Sequence, residues 1–187
     1  GNIGFSNPDE IFVYLQKFRN SARYRQLPAS SKKRINELIP ILIETSAKFP
    51  PADTTLKRIL QLIESISGRA SYLSLLLENP YTLERIAKLV SVSQWACEYL
   101  TQHPILLDEL LNETDLQSKI DWPISRVELL RLLKNTNTND EDHTKYQMDV
   151  LYHFHYSKVF QLLARDLEKL LPLEALSDHL TSLADLI

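Results

Sequence analysis

Glycine is nearly absent from this chain. Three of its 187 residues are glycine, and Gly1 and Gly4 lie in the leading tail. Hairpin turns and phosphate-cradling loops lean on glycine's backbone freedom. A body whose only glycine is Gly68 has almost no material for either. Cysteine is limited to Cys97, which excludes an intrachain disulfide and a thiolate-rich metal site. Set in Trp95-Ala96-Cys97-Glu98-Tyr99, it reads as a small buried side chain and not as a nucleophile. Long apolar runs are missing too. Leu38 to Ile43 is broken by Pro40, far short of the ~20 residues that span a bilayer. No basic start leads into an apolar signal region. The expectation is a cytoplasmic protein with no membrane partner, in which Gly1 reads as a remnant of tag cleavage.

What is present is ordinary for a globular protein: 44% apolar and 24% charged residues, too much hydrophobicity for disorder. The net charge of −3 is unevenly spread. Residues 1–40 carry seven basic side chains (Lys17, Arg19, Arg23, Arg25, Lys32, Lys33, Arg34) against three acids, +4 at the front and −7 over the rest. Such a front could meet an acidic partner surface.

Prolines and short polar caps punctuate the chain, as helices joined by tight connections require. Asn7 and Pro8 open a first helix to about Phe18. The next starts near Ser30 or Ser31, with Ile35, Leu38, Ile39 and Leu42 on one face, and Pro40 should kink it. Pro50-Pro51 stops it. Asp53 then caps a helix with Leu56, Ile59, Leu60, Ile63 and Ile66 on its inner face. Asn79 as cap and Pro80 at the first position restart the chain after Gly68, with Leu83, Ile86, Ala87 and Val90 along the next helix. Ser93 caps another through Trp95, Tyr99 and Leu100, and His103-Pro104 begins a further helix with Leu106, Leu107, Leu110 and Leu111.

After Asn112 the pattern weakens. Asn112 to Asp121 is polar, Val127 to Leu133 makes one short helix, and Asn135 to Asp142 is loop-like. A long helix follows, from about Thr144 to Leu170, placing Met148, Leu151, Tyr152, His155, Val159, Leu162 and Leu163 on one side. It reads as a central strut. Pro172 ends it, and Leu176, Leu180, Leu183, Ala184 and Ile187 form a last stripe, still running at Ile187 as if a larger protein continued. The expected fold is all-α: a compact array of about eight to ten helices, several short, with one long central helix near the C-terminal end. Residues 1–112 form the helical bundle, 113–143 a connecting segment, and 144–187 the long helix plus a lead-in helix.

Catalytic chemistry is hard to find. His153 and His155 are two apart and point to nearly opposite sides of a helix, so they cannot jointly bind a metal. His155 reads as a hydrogen-bonded core histidine, His103 as a turn residue, and His143 and His179 have no obvious partners. Asp140-Glu141-Asp142 suits a helix N-terminus through the helix dipole, and Asp108-Glu109 suits an exposed face. Arg19 to Arg34 with Tyr24 invites a nucleic-acid reading, but the domain as a whole is acidic and a protein contact fits better. No residue earns a catalytic, cofactor-binding or metal-binding role.

Several ordered stretches nevertheless carry a resemblance. Gly68-Arg69, Tyr72-Leu73 and Glu78-Asn79-Pro80 sit in one segment from Ile66 to Pro80. Ser93-Gln94-Trp95 follows, then His103-Pro104-Ile105-Leu106-Leu107-Asp108-Glu109-Leu110-Leu111. Tyr146-Gln147-Met148-Asp149, Ala164-Arg165-Asp166 and Ser177-Asp178-His179-Leu180 come after, and at the front Phe18-Arg19 and Arg34 to Pro40 fit as well. This order resembles the glutamine synthetase adenylyltransferases over nearly the whole chain, in the helical region before their second nucleotidyltransferase domain. Tyr152 and His155 stand where the family has basic residues.

The resemblance implies a parent with two activities. One adds AMP from ATP to a tyrosine of glutamine synthetase and the other removes it by phosphorolysis, on nucleotidyltransferase domains with glycine-serine and paired aspartates that hold magnesium. That motif does not occur in these residues. ATP and Mg2+ are thus implied for the parent and no cofactor for this segment. Its implied partners are the flanking nucleotidyltransferase domains, glutamine synthetase and the PII signal protein. The family-motif positions Gly68, Arg69, Tyr72, Glu78, Pro80, Trp95, His103, Pro104, Asp108, Glu109, Asp166, Ser177 and Asp178 are expected to serve structure or interaction. The alternative is a free-standing α-helical adaptor with a basic N-terminal face.

Overall fold

The computed structural model describes residues 4–111, 120–134 and 140–187. Among the described residues there are ten α-helices and no strand, so the all-α expectation holds. The chain divides into two compact units, residues 1–111 and 112–187.

Unit 1 holds α1 (Pro8–Asn20), α2 (Ala22–Gln26), α3 (Ala29–Ala47), α4 (Ala52–Ile66), α5 (Ala70–Glu78), α6 (Pro80–Val92) and α7 (Gln94–Gln102). Two 3-10 turns follow, Pro104–Leu107 and Glu109–Leu111. Helix α4 sits in the middle, packed against α1, α3, α5, α6 and α7. Its sequence explains why. Leu56, Ile59, Leu60, Ile63 and Ile66 recur at helical spacing, and Leu62 widens the apolar arc; all six are buried. An arc this wide needs neighbours on several sides. Helix α3 supplies buried Ile35, Leu38 and Leu42, and α6 supplies Leu83, Ile86, Ala87 and Val90. Pro40 lies inside α3, which continues to Ala47.

The caps agree with the sequence in some places and depart from it in others. Asn7 caps α1, its side-chain oxygen accepting from the Glu10 amide at 3.2 Å. Ser93 caps α7 by accepting from the Ala96 amide at 3.1 Å. Asn79 does precede Pro80, but its side-chain nitrogen donates back to the Leu75 carbonyl at 2.8 Å and closes α5. Asp53 is the second residue of α4 and not its cap. Its carboxylate accepts from the Ser6 and Asn7 amides at 2.8 and 3.1 Å, so it fastens the segment that enters α1. One turn on, Lys57 pairs with Glu10, giving α4 a second hold on the same helix end.

Two other elements differ from the sequence expectation. The five-residue α2 has too little pattern to be foreseen. The expected helix from His103 is instead the pair of 3-10 turns, and Arg85 of α6 ties the second to the bundle by donating to the Leu110 carbonyl at 3.0 Å. Leucines three apart satisfy a 3-10 turn as well as an α-helix.

Unit 2 holds α8 (Trp122–Lys134), α9 (Asp140–Leu167) and α10 (Leu173–Leu186), which pack on one another. Leu129, Phe154 and Leu183, one from each helix, form its buried centre, with Trp122, Leu133, Val150, Leu151, Val159 and Leu186 against them. The long helix is there, and of the side expected to turn inward Leu162 is buried and Leu151 and Val159 pack on the centre, but Met148, Tyr152 and His155 are exposed and Phe154, from across the helix, is buried. A helix apolar nearly all round cannot reveal from periodicity alone which side finds a neighbour.

Helix α9 closes without glycine. The Leu170 amide donates to the Arg165 carbonyl at 2.9 Å and the Lys169 amide to the Asp166 carbonyl at 2.8 Å. This is the Schellman pairing, with Lys169 held at φ +58°. Pro172 then precedes α10. The expected polar stretch after Asn112 and the loop after Asn135 fall largely on residues 112–119 and 135–139, outside the described residues. So does the capping role expected of the Asp140, Glu141 and Asp142 side chains.

Candidate functional site

The family-motif residues fall in three places, each described within its own unit. The first is the join between α4 and α5. Gly68 is exposed, has no left-handed φ, and a Cβ built on it would meet nothing within 4 Å. Arg69 precedes α5 and lays its guanidinium over the Tyr72 ring, 5.8 Å from the centroid, within the range of a cation–π contact. Glu78 and Pro80, both exposed, frame the α5–α6 junction.

The second place is α7 and the turns after it. Trp95 stacks on Tyr99 with centroids 4.7 Å apart, and Tyr99 meets His103 edge-on at 4.9 Å. The spacing of four residues puts the three rings on one helix face. Trp95 is 48% exposed, whereas Ala96, Cys97 and Leu100 turn inward. His103 and Pro104 start the first 3-10 turn as expected of turn residues. Asp108 is exposed and Glu109 half-buried.

The third place is in unit 2. Asp166 is exposed near the end of α9, and Ser177 and Asp178 are exposed on α10. The backbone carbonyls of Ser177 and Asp178 accept from the Thr181 and Ser182 hydroxyls at 3.0 and 2.9 Å.

No group of three His, Cys, Asp or Glu capable of holding a metal occurs among the described residues. His155, expected in the core, is exposed, although Leu162, two turns on along the same side of α9, is buried. His179, which showed no partner in the sequence, accepts a hydrogen bond from the Trp122 indole N–H at Nδ1, 2.9 Å away. Cys97 is buried, and its thiol donates to the Arg58 carbonyl at 3.3 Å. Burial raises its pKa, outweighing the hydrogen bond from Thr101 and the charge of Arg58. A thiol held protonated in this way is a poor nucleophile.

Arg58 was not foreseen as important, and nothing in its local pattern marks it. It leaves α4 to donate to the Val90 and Ser91 carbonyls at the end of α6, the latter at 3.1 Å, and to the Gln94 side chain at 2.7 Å. One guanidinium thus closes α6 and locates the start of α7.

The basic front is largely held by neutral acceptors. Arg19 and Tyr24 both donate to Asn36 Oδ1, at 2.7 and 3.0 Å. Arg23 donates to the Ser65 carbonyl at 3.0 Å, Lys32 to the Arg25 carbonyl at 2.8 Å, and Arg34 to Ser74 at 2.7 Å. These bonds fix the side chains without cancelling their charge. An open groove of about 430 Å³ lies here, lined by Lys33, Arg34, Glu37 and Glu78 among others. Its two cations and two carboxylates give it no net sign.

The chain's relatives supply what this scattered geometry does not. Residues 83–187 match the family model described as glutamate-ammonia ligase adenylyltransferase. A bifunctional glutamine synthetase adenylyltransferase/adenylyl-removing enzyme from Nitrosomonas europaea is 51% identical over 185 residues, which is 99% of this chain and 20% of the relative. Proteins of the same description from Chromobacterium violaceum and Neisseria meningitidis are 45% and 36% identical, over 99% and 96% of this chain and again 20% of each relative. The chain therefore spans about a fifth of the length of the curated relatives it matches. With a relative 51% identical over 99% of its length and a family model matching residues 83–187, this chain belongs to the glutamate-ammonia ligase adenylyltransferase family.

Proposed function

We propose that these residues are a non-catalytic helical segment of a glutamine synthetase adenylyltransferase. The observation that carries the proposal is the match itself: nearly all of this chain aligns with about a fifth of each relative. The parent adds AMP from ATP to a tyrosine of glutamine synthetase and removes it by phosphorolysis, in the cytoplasm, with magnesium held by its nucleotidyltransferase domains. This segment couples or positions those domains, which flank it in the same polypeptide, and takes part in the response to the PII signal protein. The motif positions from Gly68 to Asp178 act in this reading through structure and contact. The exposed Trp95, stacked on a half-buried Tyr99 that in turn meets His103, and the exposed Ser177 and Asp178 support a contact role. Support for the non-catalytic part comes from the buried, protonated thiol of Cys97 and from the imidazole of His179, already engaged by Trp122. The test is AMP transfer from labelled ATP to glutamine synthetase. The expected result is none with the 187-residue chain and transfer with the polypeptide at the length of the relatives. Transfer by the chain alone overturns the reading.

The charge of Arg19, Arg23 and Lys32, held by neutral acceptors, favours a second reading, a helical adaptor whose basic face binds an acidic protein. That reading requires binding that weakens steeply with salt. Its absence at low salt removes it.

A further inference from the structure

Of residues 4–27 only Ile11 and Phe18 are buried, two turns apart on one face of α1, with Tyr14 and Leu15 half-buried between them. Helix α2 buries nothing. This seam is narrow beside the wide arc of α4, so polar bonds carry much of the hold, and they gather at two places. At the start of α4, Asp53 accepts from the Ser6 and Asn7 amides, and Lys57 pairs with Glu10. At its other end the carbonyl of Ser65, next to last in the helix, accepts from Arg23 at 3.0 Å. Between these points Tyr14 is half-buried, and burial, then the Glu64 carboxylate of α4, raises its pKa. Helix α1 thus runs along α4, and α2 is fastened where α4 stops. Asn36 of α3 adds a hold by accepting from Arg19 and Tyr24. Arg23 also forms one wall of a cleft of about 340 Å³, whose other walls include Gln61 and Glu64 of α4 and Cys97, Glu98 and Thr101 of α7.

Few buried apolar contacts and solvated bonds put an element at the low end of a protein's local stability. We infer that α1 and α2 form one strap, fastened at both ends of α4, that releases as a unit while α3 to α7 stay folded, and that its release opens the cleft between α4 and α7. Helix α4 keeps α3, α5, α6 and α7 as neighbours when the strap leaves. Helix α1 has 13 residues, too few to hold much structure once detached, so each of its amides reports the release. Two fastenings on one strap also make its ends interdependent: loosening either end loosens the whole.

Amide exchange of the 187-residue chain, followed by mass spectrometry, tests the strap. Amides of α1 and α2 should share one protection factor, about a hundredfold below that of α4 and α6. Arg23→Gln alters only the far fastening, yet it should speed exchange about threefold along all of α1, as expected of one solvated bond, and leave α6 unchanged. Lys57→Glu should do the same from the other end, and adding Glu10→Lys should restore most of the protection. Thr101, half-buried in the cleft, reads the second part. In Thr101→Cys, with the two thiols separated by peptide mass, maleimide labelling at position 101 should quicken on adding Lys57→Glu by the factor seen in α1. Protection that grades along α1 from its leading end, with Arg23→Gln felt only in α2, is fraying and overturns the strap. So does exchange of α1 only together with α4. Labelling at position 101 that ignores Lys57→Glu overturns the opening of the cleft.

Discussion

Asp53 shows how a residue can satisfy a local rule and still serve a distant one. Its position near the start of α4 suits a cap, yet its carboxylate holds two amides 46 and 47 residues earlier. Those amide bonds, Ser6 first, keep its pKa below the ordinary carboxylate value against a smaller opposing effect of burial. A depressed pKa places the stabilisation above the unfolded value, ~3.9. It is complete at neutral pH and is lost as pH falls below about 4, through the folded pKa. Charge-assisted bonds of this kind contribute ~1.5–3 kcal/mol when shielded, but this carboxylate is solvated and screened, so about 1 kcal/mol is the expected loss in Asp53→Ala. Amide exchange should quicken in α1 before it does in α6, and the difference from the unaltered chain should vanish in acid. Equal exchange at neutral pH in both proteins would refute it. Gly68 gives the opposite case. A Cβ there meets open space and the backbone is not left-handed, so Gly68→Ala should raise stability by ~0.4–1 kcal/mol through the unfolded chain's lost freedom. A fall in melting temperature would show that the motif glycine has a structural duty in unit 1.

At the scale of elements, the helices with one clear apolar face were legible, because burial follows 3.6-residue spacing wherever only one face is apolar. Helices α4 and α6 bury every residue expected of them. Reading failed where the local signal was short or degenerate. Five residues in α2 cannot show a period, leucines after Pro104 fit two kinds of helix, and α9 is apolar on more sides than unit 2 covers. The candidate residues were legible as an ordered motif and not as a geometry. The partners that fix Asp53, Arg58, Trp122 and His179 lie 32 to 57 residues away in sequence, beyond the reach of any window. The scarcity of glycine also has a consequence at an element's end. Lys169 occupies the left-handed position of the Schellman turn that closes α9, where an L side chain costs ~1–2 kcal/mol. Lys169→Gly should therefore stabilise unit 2 by about 1 kcal/mol after glycine's own entropy loss. Lys169→Val should destabilise it, since branching at Cβ worsens the clash. Denaturant midpoints read through unit 2 amides decide the point, and a midpoint that falls with glycine contradicts the turn's geometry.

At the scale of the molecule, unit 2 has an apolar centre at Leu129, Phe154 and Leu183 and unit 1 packs around α4, and each can be probed by its own reporter. Unit 1 contains its own reporter. Cys97 is buried at α7, bonded to the α4 backbone at Arg58, and its thiol is held protonated by that burial. Labelling must therefore wait for α7 to lift from α4, and its rate measures the population of that opening when closing is fast. The packing of α4 sets that population. Leu60 is 1% exposed in the middle of the helix that five others contact. Truncating such a leucine costs ~2–5 kcal/mol, part transfer and part cavity. Leu60→Ala should thus raise the Cys97 labelling rate on the order of a hundredfold, since ~1.4 kcal/mol is a factor of ten. Leu183→Ala makes the matching cavity in unit 2, to be read there by amide exchange in α8, α9 and α10. If Leu60→Ala leaves the labelling rate unchanged, Cys97 is reached by a local motion of α7 that does not involve the α4 core.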